Sequence, residues 1–143
     1  MECIVYDASN APHKSDSPEM ELAIMIDQND GTIALSYGLH LALRSDSIIF
    51  LRSKEDGSNW FIKASETATA FHCCPLRGST LFGTRSNTIV NMLVESLARL
   101  PFGKGGATRP HAFRIPVERS VYGDTIFSIS DKHSSVWVRN EQK

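Results

Sequence analysis

The feature that most constrains the fold is a run of short strand-like segments that ends in one amphipathic helix, between residues 47 and 100. Ser86 is a favourable N-cap, because its hydroxyl can accept a backbone N–H of the first turn. Apolar residues then recur at helical spacing, namely Ile89, Leu93, Leu97 and Leu100. Pro101 and Gly103 follow and indicate a helix end. The sequence therefore predicts a long helix over Ser86–Leu100 with one buried face.

A hairpin and a short helix are predicted near the start of the chain. Apolar runs at Leu22–Ile26 and Thr32–Leu35 flank Asn29-Asp30-Gly31. An Asp-Gly pair between such runs is typical of a hairpin, because both turn positions tolerate positive φ. Ser36 follows directly and can cap a short helix.

A second strand pair is predicted at Ile48–Leu51 and Asn59–Lys63, joined by a turn over Glu55-Asp56-Gly57-Ser58. The apolar content of both segments is nearly unbroken, with little alternation. Such segments are typical of central strands, so we expect both faces of this pair to be covered.

Further strands are predicted on both sides of the long helix, at 69–74, 79–83, 111–117, 125–129 and 136–138. In the third of these, apolar residues alternate with small or polar ones, which indicates a half-buried strand with His111 facing inward and Arg114 outward. Pro116 lacks a backbone donor and favours an edge position or a bulge.

These elements predict an α+β fold, in which a strongly twisted, mainly antiparallel sheet is backed by one long and one short helix. We expect residues 1–19 to form a partly mobile N-terminal strand or linker, and residues 20–143 to form a single α+β domain. The order strand, strand, helix, strand, strand occurs twice, which suggests two similar ββαββ halves at 20–66 and 67–130. The length of 143 residues fits either one domain or one domain made of two such halves.

Charge is distributed unevenly, although the formal net charge is only −1. Between Thr67 and Arg119 there are seven Lys or Arg residues and two acidic residues, whereas the first thirty residues carry seven acidic residues and one base. A basic stretch of this kind favours an anionic partner.

Several kinds of chemistry find no support in the sequence. The five histidines are scattered, and in the run His72-Cys73-Cys74 alternate strand positions point to opposite faces. There is no Gly-x-Ser-x-Gly elbow, and Gly103-Lys104-Gly105-Gly106 lacks the spacing of a phosphate loop. We therefore expect no enzyme activity, no catalytic residues, no metal and no cofactor.

Cellular context is indicated by two further properties. Three cysteines, two of them adjacent, do not make a disulfide framework, which favours a reducing cytoplasm. No apolar run approaches the roughly 20 residues that span a bilayer, so we expect no membrane partner.

Candidate nucleic-acid contacts are cations that bind phosphates and aromatic side chains that stack on bases. The cations are Arg77, Arg85, Lys104, Arg109 and Arg114, and the aromatic residues are Trp60 and Tyr122. Phe61 is the alternative to Trp60, because only one of these neighbours can face outward. For each residue the simpler interpretation is an aromatic side chain in the core or a cation on a solvated surface.

Residues 47–100, with Asn59-Trp60-Phe61-Ile62-Lys63 in the second strand and the striped helix Ser86–Leu100 at the end, show the element order of a known class of proteins. The chain here resembles the single-stranded-DNA-binding transcriptional coactivators of the positive cofactor four type and the related whirly proteins. The resemblance implies a curved antiparallel sheet that binds single-stranded nucleic acid, and helices that drive oligomerisation.

The function expected from the residues and the resemblance is that of a non-enzymatic nucleic-acid-binding protein with a role in transcription regulation. Single-stranded DNA or RNA is favoured over duplex, and a homo-oligomer is expected. The alternative is a homo-oligomeric protein-interaction module without nucleic-acid binding, which the apolar surplus on the Ile89–Leu100 segment favours.

Overall fold

The computed structural model describes residues 21–77, 81–102 and 110–139. The predicted N-terminal segment 1–19 lies outside these ranges. Within them, no helix is long and apolar enough to cross a membrane.

Ten strands and two α-helices make up the described chain. The strands are β1 (Ala23–Asp27), β2 (Thr32–Leu35), β3 (Ser47–Arg52), β4 (Trp60–Ala64), β5 (Phe71–His72), β6 (Cys74–Pro75), β7 (Phe82–Arg85), β8 (Ala112–Ser120), β9 (Gly123–Ile129) and β10 (Ser135–Val136). The helices are α1 (Tyr37–Leu43) and α2 (Asn87–Ser96), with a short 3-10 helix at Asp131–His133.

All strands join one antiparallel sheet, in the order β5-β3-β4-β9-β8-β1-β2-β7-β6, with β10 paired to β8. The two ends of this order, β5 and β6, are separated along the chain by Cys73 alone. The ends of the sheet therefore come together, and the sheet curls into a nearly closed barrel. The predicted α+β class and the mainly antiparallel sheet are confirmed.

The β1–β2 hairpin forms where the turn sequence predicts it. Gly31 has a φ of +74°, and its N–H donates to the carbonyl oxygen of Asp27 at 2.9 Å. A Cβ at this position would lie 2.6 Å from Oδ1 of Asn87. The turn thus needs glycine both for its backbone conformation and for its closeness to α2.

Both helices pack on the interior side of the sheet, and each begins at a serine. The hydroxyl of Ser36 accepts the N–H of Leu39 at 3.2 Å, and the hydroxyl of Ser86 accepts the N–H of Ile89 at 3.2 Å. The largest fully buried side chains come from six strands, from both helices and from the residue just after α2, namely Phe113, Phe127, Ile24, Ile26, Ile33, Leu35, Leu39, Leu43, Ile48, Ile62, Leu93 and Leu97. The core therefore lies inside the curled sheet.

Helix α2 ends one turn earlier than the sequence predicts. Its last residue is Ser96, whose hydroxyl donates to the carbonyl oxygen of Met92, a bond that bends helices. The following backbone is held by Asp131, whose Oδ2 accepts the N–H of Arg99 at 2.8 Å. Leu97 and Leu100 remain buried in the non-helical chain that follows α2, so the apolar pattern was informative beyond the helix itself.

Strand β8 differs from its prediction in two respects. His111 lies just before the strand and is exposed, because its ring turns outward to the carboxylate of Asp27. Pro116 is on a strand with neighbours on both sides, so it does not mark an edge. It lies between the part of β8 that pairs with β10 and the part that pairs with β9, where a missing N–H is tolerated.

The expectation that both faces of the β3–β4 pair are covered is wrong. On the interior side Ile48, Trp60 and Ile62 are buried. On the outer side Leu51 is 37% exposed and Phe61 is half-buried. Apolar side chains thus reach the outer surface of this part of the sheet.

Candidate nucleic-acid interface

Outward-facing side chains of β3, β4 and β9, together with a residue of the β8–β9 turn, form what we call the open face. Its members are Ile49, Leu51, Phe61, Lys63, Ile126 and Tyr122. The strand register places Lys63 between Ile49 and Ile126, and Phe61 opposite Leu51. Paired residues of antiparallel strands project to the same side, so these side chains share one surface.

An aromatic pair lies at the centre of the open face. The rings of Phe61 and Tyr122 meet edge to face, with centroids 5.6 Å apart and planes inclined by 84°. Tyr122 is 72% exposed and Phe61 is half-buried, so both rings present surface to solvent. The T-shaped contact favours this arrangement of the two rings and leaves aromatic surface open to solvent.

Charge on the open face comes from Lys63, two residues after Phe61 on the same side of β4. Glu118 borders the face on the far side, opposite Ser128 of β9. An anion above the aromatic pair would therefore be favoured on the Lys63 side and disfavoured near Glu118.

Trp60 does not have the stacking role predicted for it. It is 2% exposed and faces the interior, and the guanidinium carbon of Arg52 lies 5.1 Å from its ring centroid. Its Nε1 has no hydrogen-bond partner among the described residues. Because successive strand residues alternate, burial of Trp60 turns Phe61, the predicted alternative, toward the outer surface.

The three predicted cations that lie within the described residues, Arg77, Arg85 and Arg114, are not gathered beside Tyr122. Arg114 pairs in register with Met25, on a different part of the sheet, and forms an ion pair with Glu21. Arg85 ends β7, and Arg77 follows β6; both are exposed. Along β8, Arg114 is six residues from Ser120, about 20 Å in an extended strand.

Two of the predicted cations, Lys104 and Arg109, lie outside the described residues. Lys63, by contrast, lies on the open face and was not among the predicted cations. Its signal was available, since a single charge inside the otherwise apolar strand Trp60–Ala64 marks the outward side. Period-two alternation would then have placed Phe61 on that side as well.

The outer side of β1 and β2 contrasts with the open face, and we call it the covered face. Its members are Ala23, Met25 and Ala34, which are buried beneath Leu76, Leu81 and Trp137. Trp137 follows β10, and its N–H donates to the carbonyl oxygen of Ala112 at 3.0 Å. The chain after β10 therefore lies across this face.

A buried carboxylate anchors that crossing segment. Asp27 is 3% exposed, and Nη1 of Arg139 lies 2.9 Å from its Oδ2. His111 Nδ1 lies 2.8 Å from the other oxygen, Oδ1, which also accepts the N–H of Asn29 at 2.9 Å. Arg139 also reaches Oδ2 of Asp30 at 2.8 Å, and its guanidinium carbon lies 5.0 Å from the ring centroid of Trp137.

The pKa of Asp30 reflects this contact. Burial acts to raise it, but hydrogen bonds from Thr32 and Arg139 outweigh burial and hold the pKa below the ordinary value of 3.8. The carboxylate is thus charged wherever Arg139 is bound to it at neutral pH.

An open cleft of about 500 Å³ lies between the end of α1 and the strands β3 and β5. Its polar side chains contact one another: His40 Nε2 lies 3.2 Å from Oδ1 of Asp46, and the hydroxyl of Ser45 donates to Glu66 at 3.0 Å. Among the described residues, no group of three histidine, cysteine or acidic side chains is placed to hold a metal ion.

Cys73 packs in the core next to this cleft. Burial raises the pKa of its thiol to about 11, and the nearby charges of Asp46 and Cys74 act in the same direction. The thiol is therefore protonated at neutral pH, and Cys73 packs as a small apolar core residue.

The chain was compared with protein-family models, with curated proteins and with solved structures, and none of them matches. The resemblance to the coactivator and whirly proteins therefore stays a prediction.

Proposed function

We propose that the protein binds single-stranded nucleic acid on the open face, without enzymatic activity. The observation that carries this proposal is the exposed, mutually braced pair of Phe61 and Tyr122 on the outside of a curved antiparallel sheet. Base–aromatic stacking contributes about 1–3 kcal/mol per base, and it needs bases that are free of a duplex. Lys63 supplies a cation two residues from the platform.

The strand pairings support a finer description of the fold, in which the chain consists of two ββαββ halves. Strands β1–β4 with α1 make the first half, and β5–β9 with α2 make the second, the strands β5 and β6 together acting as its first strand. Corresponding strands of the two halves pair with each other: the second strands, β2 and β7, and the last strands, β4 and β9. The first strand of each half also pairs with the third strand of the other, β1 with β8 and β5 with β3.

This pattern is what an approximate two-fold axis between the halves would produce. The β2–β7 register agrees with such an axis. Leu35, which precedes the N-cap Ser36, pairs with Phe82 at the start of β7. In the same way Arg85, which precedes the N-cap Ser86, pairs with Thr32 at the start of β2. A nucleic-acid-binding sheet assembled from two halves fits the resemblance noted for residues 47–100.

A second candidate function is assembly with another copy of the chain through the same surface. Val121 is 95% exposed and adjoins Tyr122, and Leu51 is also exposed, so the open face and its rim form an apolar patch. Apolar patches of this kind mark protein contacts as well as ligand sites.

The test is fluorescence anisotropy of labelled oligothymidylate and of a duplex of the same length, at about 20 and about 200 mM salt. We expect binding of the single strand that weakens with salt, and a loss of about tenfold in affinity for Phe61→Ala. Val121→Ala is the matched control, since it removes an exposed apolar side chain of the same region and should leave affinity unchanged.

Light scattering on the same samples separates the two candidates. A protein that binds no oligonucleotide at low salt but forms an oligomer that Phe61→Ala disrupts would support assembly and reject nucleic-acid binding. A monomer that binds the single strand would reject assembly through this face.

A further inference from the structure

The seam between β4 and β9 lies where the two halves meet on the open face. Trp60 pairs with Ile129, Ile62 pairs with Phe127, and between them Phe61 pairs with Ser128. The two outer pairs are equivalent in burial, since all four side chains face the interior. A two-fold rotation that exchanged the halves would therefore put Ser128 at the position of Phe61.

The turns at the two ends of this strand pair also differ, because only one of them carries an aromatic residue. The β8–β9 turn brings Tyr122 onto Phe61. The corresponding β3–β4 turn, residues 53–59, contains no aromatic residue and carries Lys54 beside Glu55 and Asp56. Hydrogen bonds from the side chain and the backbone N–H of Ser58 lower the pKa of Asp56, so its carboxylate is charged at neutral pH.

The geometry points to a single composite site, built from Phe61 of the first half and Tyr122 of the second, that holds a strand of nucleic acid in one 5′-to-3′ direction. The inference rests on the proposed function. The platform exists only where the halves meet, and its symmetry-related counterpart would consist of Ser128 and a turn without an aromatic residue.

The physical reason for a fixed direction is the broken symmetry. A nucleic-acid strand has chemically distinct ends, and a true two-fold site would accept it equally well in either direction. Here one side of the seam offers a pair of rings and Lys63, whereas the other side offers Ser128 and a turn that carries charges of both signs. Reversal of the strand would place its backbone differently with respect to these unlike groups, so the two directions differ in free energy.

Direction is tested by photo-cross-linking with two oligothymidylates of equal length, one with 5-iodouracil at the 5′ end and one with it at the 3′ end. Mass spectrometry identifies the cross-linked residue. We expect the yield at Tyr122 to differ by about fivefold or more between the two probes, which corresponds to about 1 kcal/mol. Equal yields from both ends, with binding intact, would overturn the inference and leave the proposed function standing.

The composite nature of the site is tested by a double-mutant cycle with Phe61→Ala and Tyr122→Ala. Because each ring braces the other, either single change should weaken binding by about tenfold, and the double change by little more. Losses that multiply would show independent contacts and overturn the composite site. Absence of any binding by the unaltered protein at low salt would instead reject the proposed function itself, and the inference with it.

Discussion

The open face and the covered face both present apolar side chains on the outer surface of the sheet. They differ in whether another segment of the chain packs over those side chains. On the covered face, Met25 and its neighbours are buried under Trp137 and two leucines. On the open face, Phe61 and Leu51 reach the surface, and Phe61 is braced only at one edge by Tyr122. An outward apolar side chain therefore has two possible roles in this fold, and the segment that crosses the sheet determines which one it takes.

The comparison also separates charges by role. Cations near the covered face are engaged with carboxylates, as Arg139 is with Asp27 and Arg114 is with Glu21. Lys63 stands beside aromatic rings on the open face. These two ion pairs therefore lie near the covered face, and the proposed ligand contact lies on the open face. Changes on the two faces should then separate stability from binding.

The largest effect is expected for Asp27→Asn on the covered face. The change keeps the shape of the side chain but removes the charge that Arg139 and His111 contact, and breaking such a buried pair costs about 3–5 kcal/mol. Urea unfolding measures the free energy. Asp30→Asn is the control, since Asp30 is half-exposed and its loss should cost less; equal losses would contradict the anchoring role of Asp27.

A somewhat smaller loss is expected for Gly83→Ala, where β7 pairs with β2. An added Cβ would lie 2.2 Å from the carbonyl oxygen of Ile33, which is backbone and cannot rotate away. Overpacking of this kind costs about 1–3 kcal/mol. Gly57→Ala is the matched control, since its nearest neighbour is the movable guanidinium of Arg52 at 3.0 Å. Similar melting temperatures for the two variants would show that β2 and β7 can separate slightly without loss.

The contrast between the faces is tested most directly by the pair Trp137→Ala and Phe61→Ala. Removal of Trp137 uncovers Met25 and should lower the free energy of unfolding by about 2 kcal/mol while leaving oligonucleotide affinity unchanged. Removal of Phe61 should instead lower the oligonucleotide affinity and leave the free energy of unfolding nearly unchanged. If both variants lose stability and affinity together, the faces do not have separate roles.

A pH dependence is expected from the contact between Arg139 and Asp30. The folded-state pKa of Asp30 lies below 3.8, so its charged form contributes stability that is complete above the ordinary pKa and is lost as the pH falls through the lowered value. Arg139→Gln removes the part of this contribution that comes from Arg139, while the hydrogen bonds from Thr32 remain. The difference in unfolding free energy between the two proteins should therefore shrink below about pH 4, and a constant difference from pH 7 to pH 2 would contradict it.

The smallest effect is expected for Lys63→Gln. One phosphate contact fewer should reduce the slope of log affinity against log salt by about one, with little change in stability because the side chain is on the surface. Anisotropy titrations at four salt concentrations measure the slope. Lys54→Gln, in the exposed β3–β4 turn, is the control, and an equal change there would mean that any nearby cation suffices.

Much of the local structure could be predicted because its causes lie close together in the chain. The β1–β2 turn, both serine caps and the alternation of β8 follow from residues within a few positions of one another. The predicted site was less accurate, because Trp60 and Phe61 stand in an apolar run without alternation. Lys63 indicates which side of β4 faces outward. That indication can be used only once the strand is known to be covered on one side and not on both.

The sequence by itself determined the elements of this protein: the hairpins, the two capped helices and the apolar faces that must be buried. Tertiary structure alone decided that the two ends of the sheet come together at Cys73, that the segment after β10 covers β1 and β2, and that Phe61 meets Tyr122. The reason is physical. Turn chemistry and periodicity act over a few residues, whereas strand register and coverage depend on which distant segments bury the most apolar surface together.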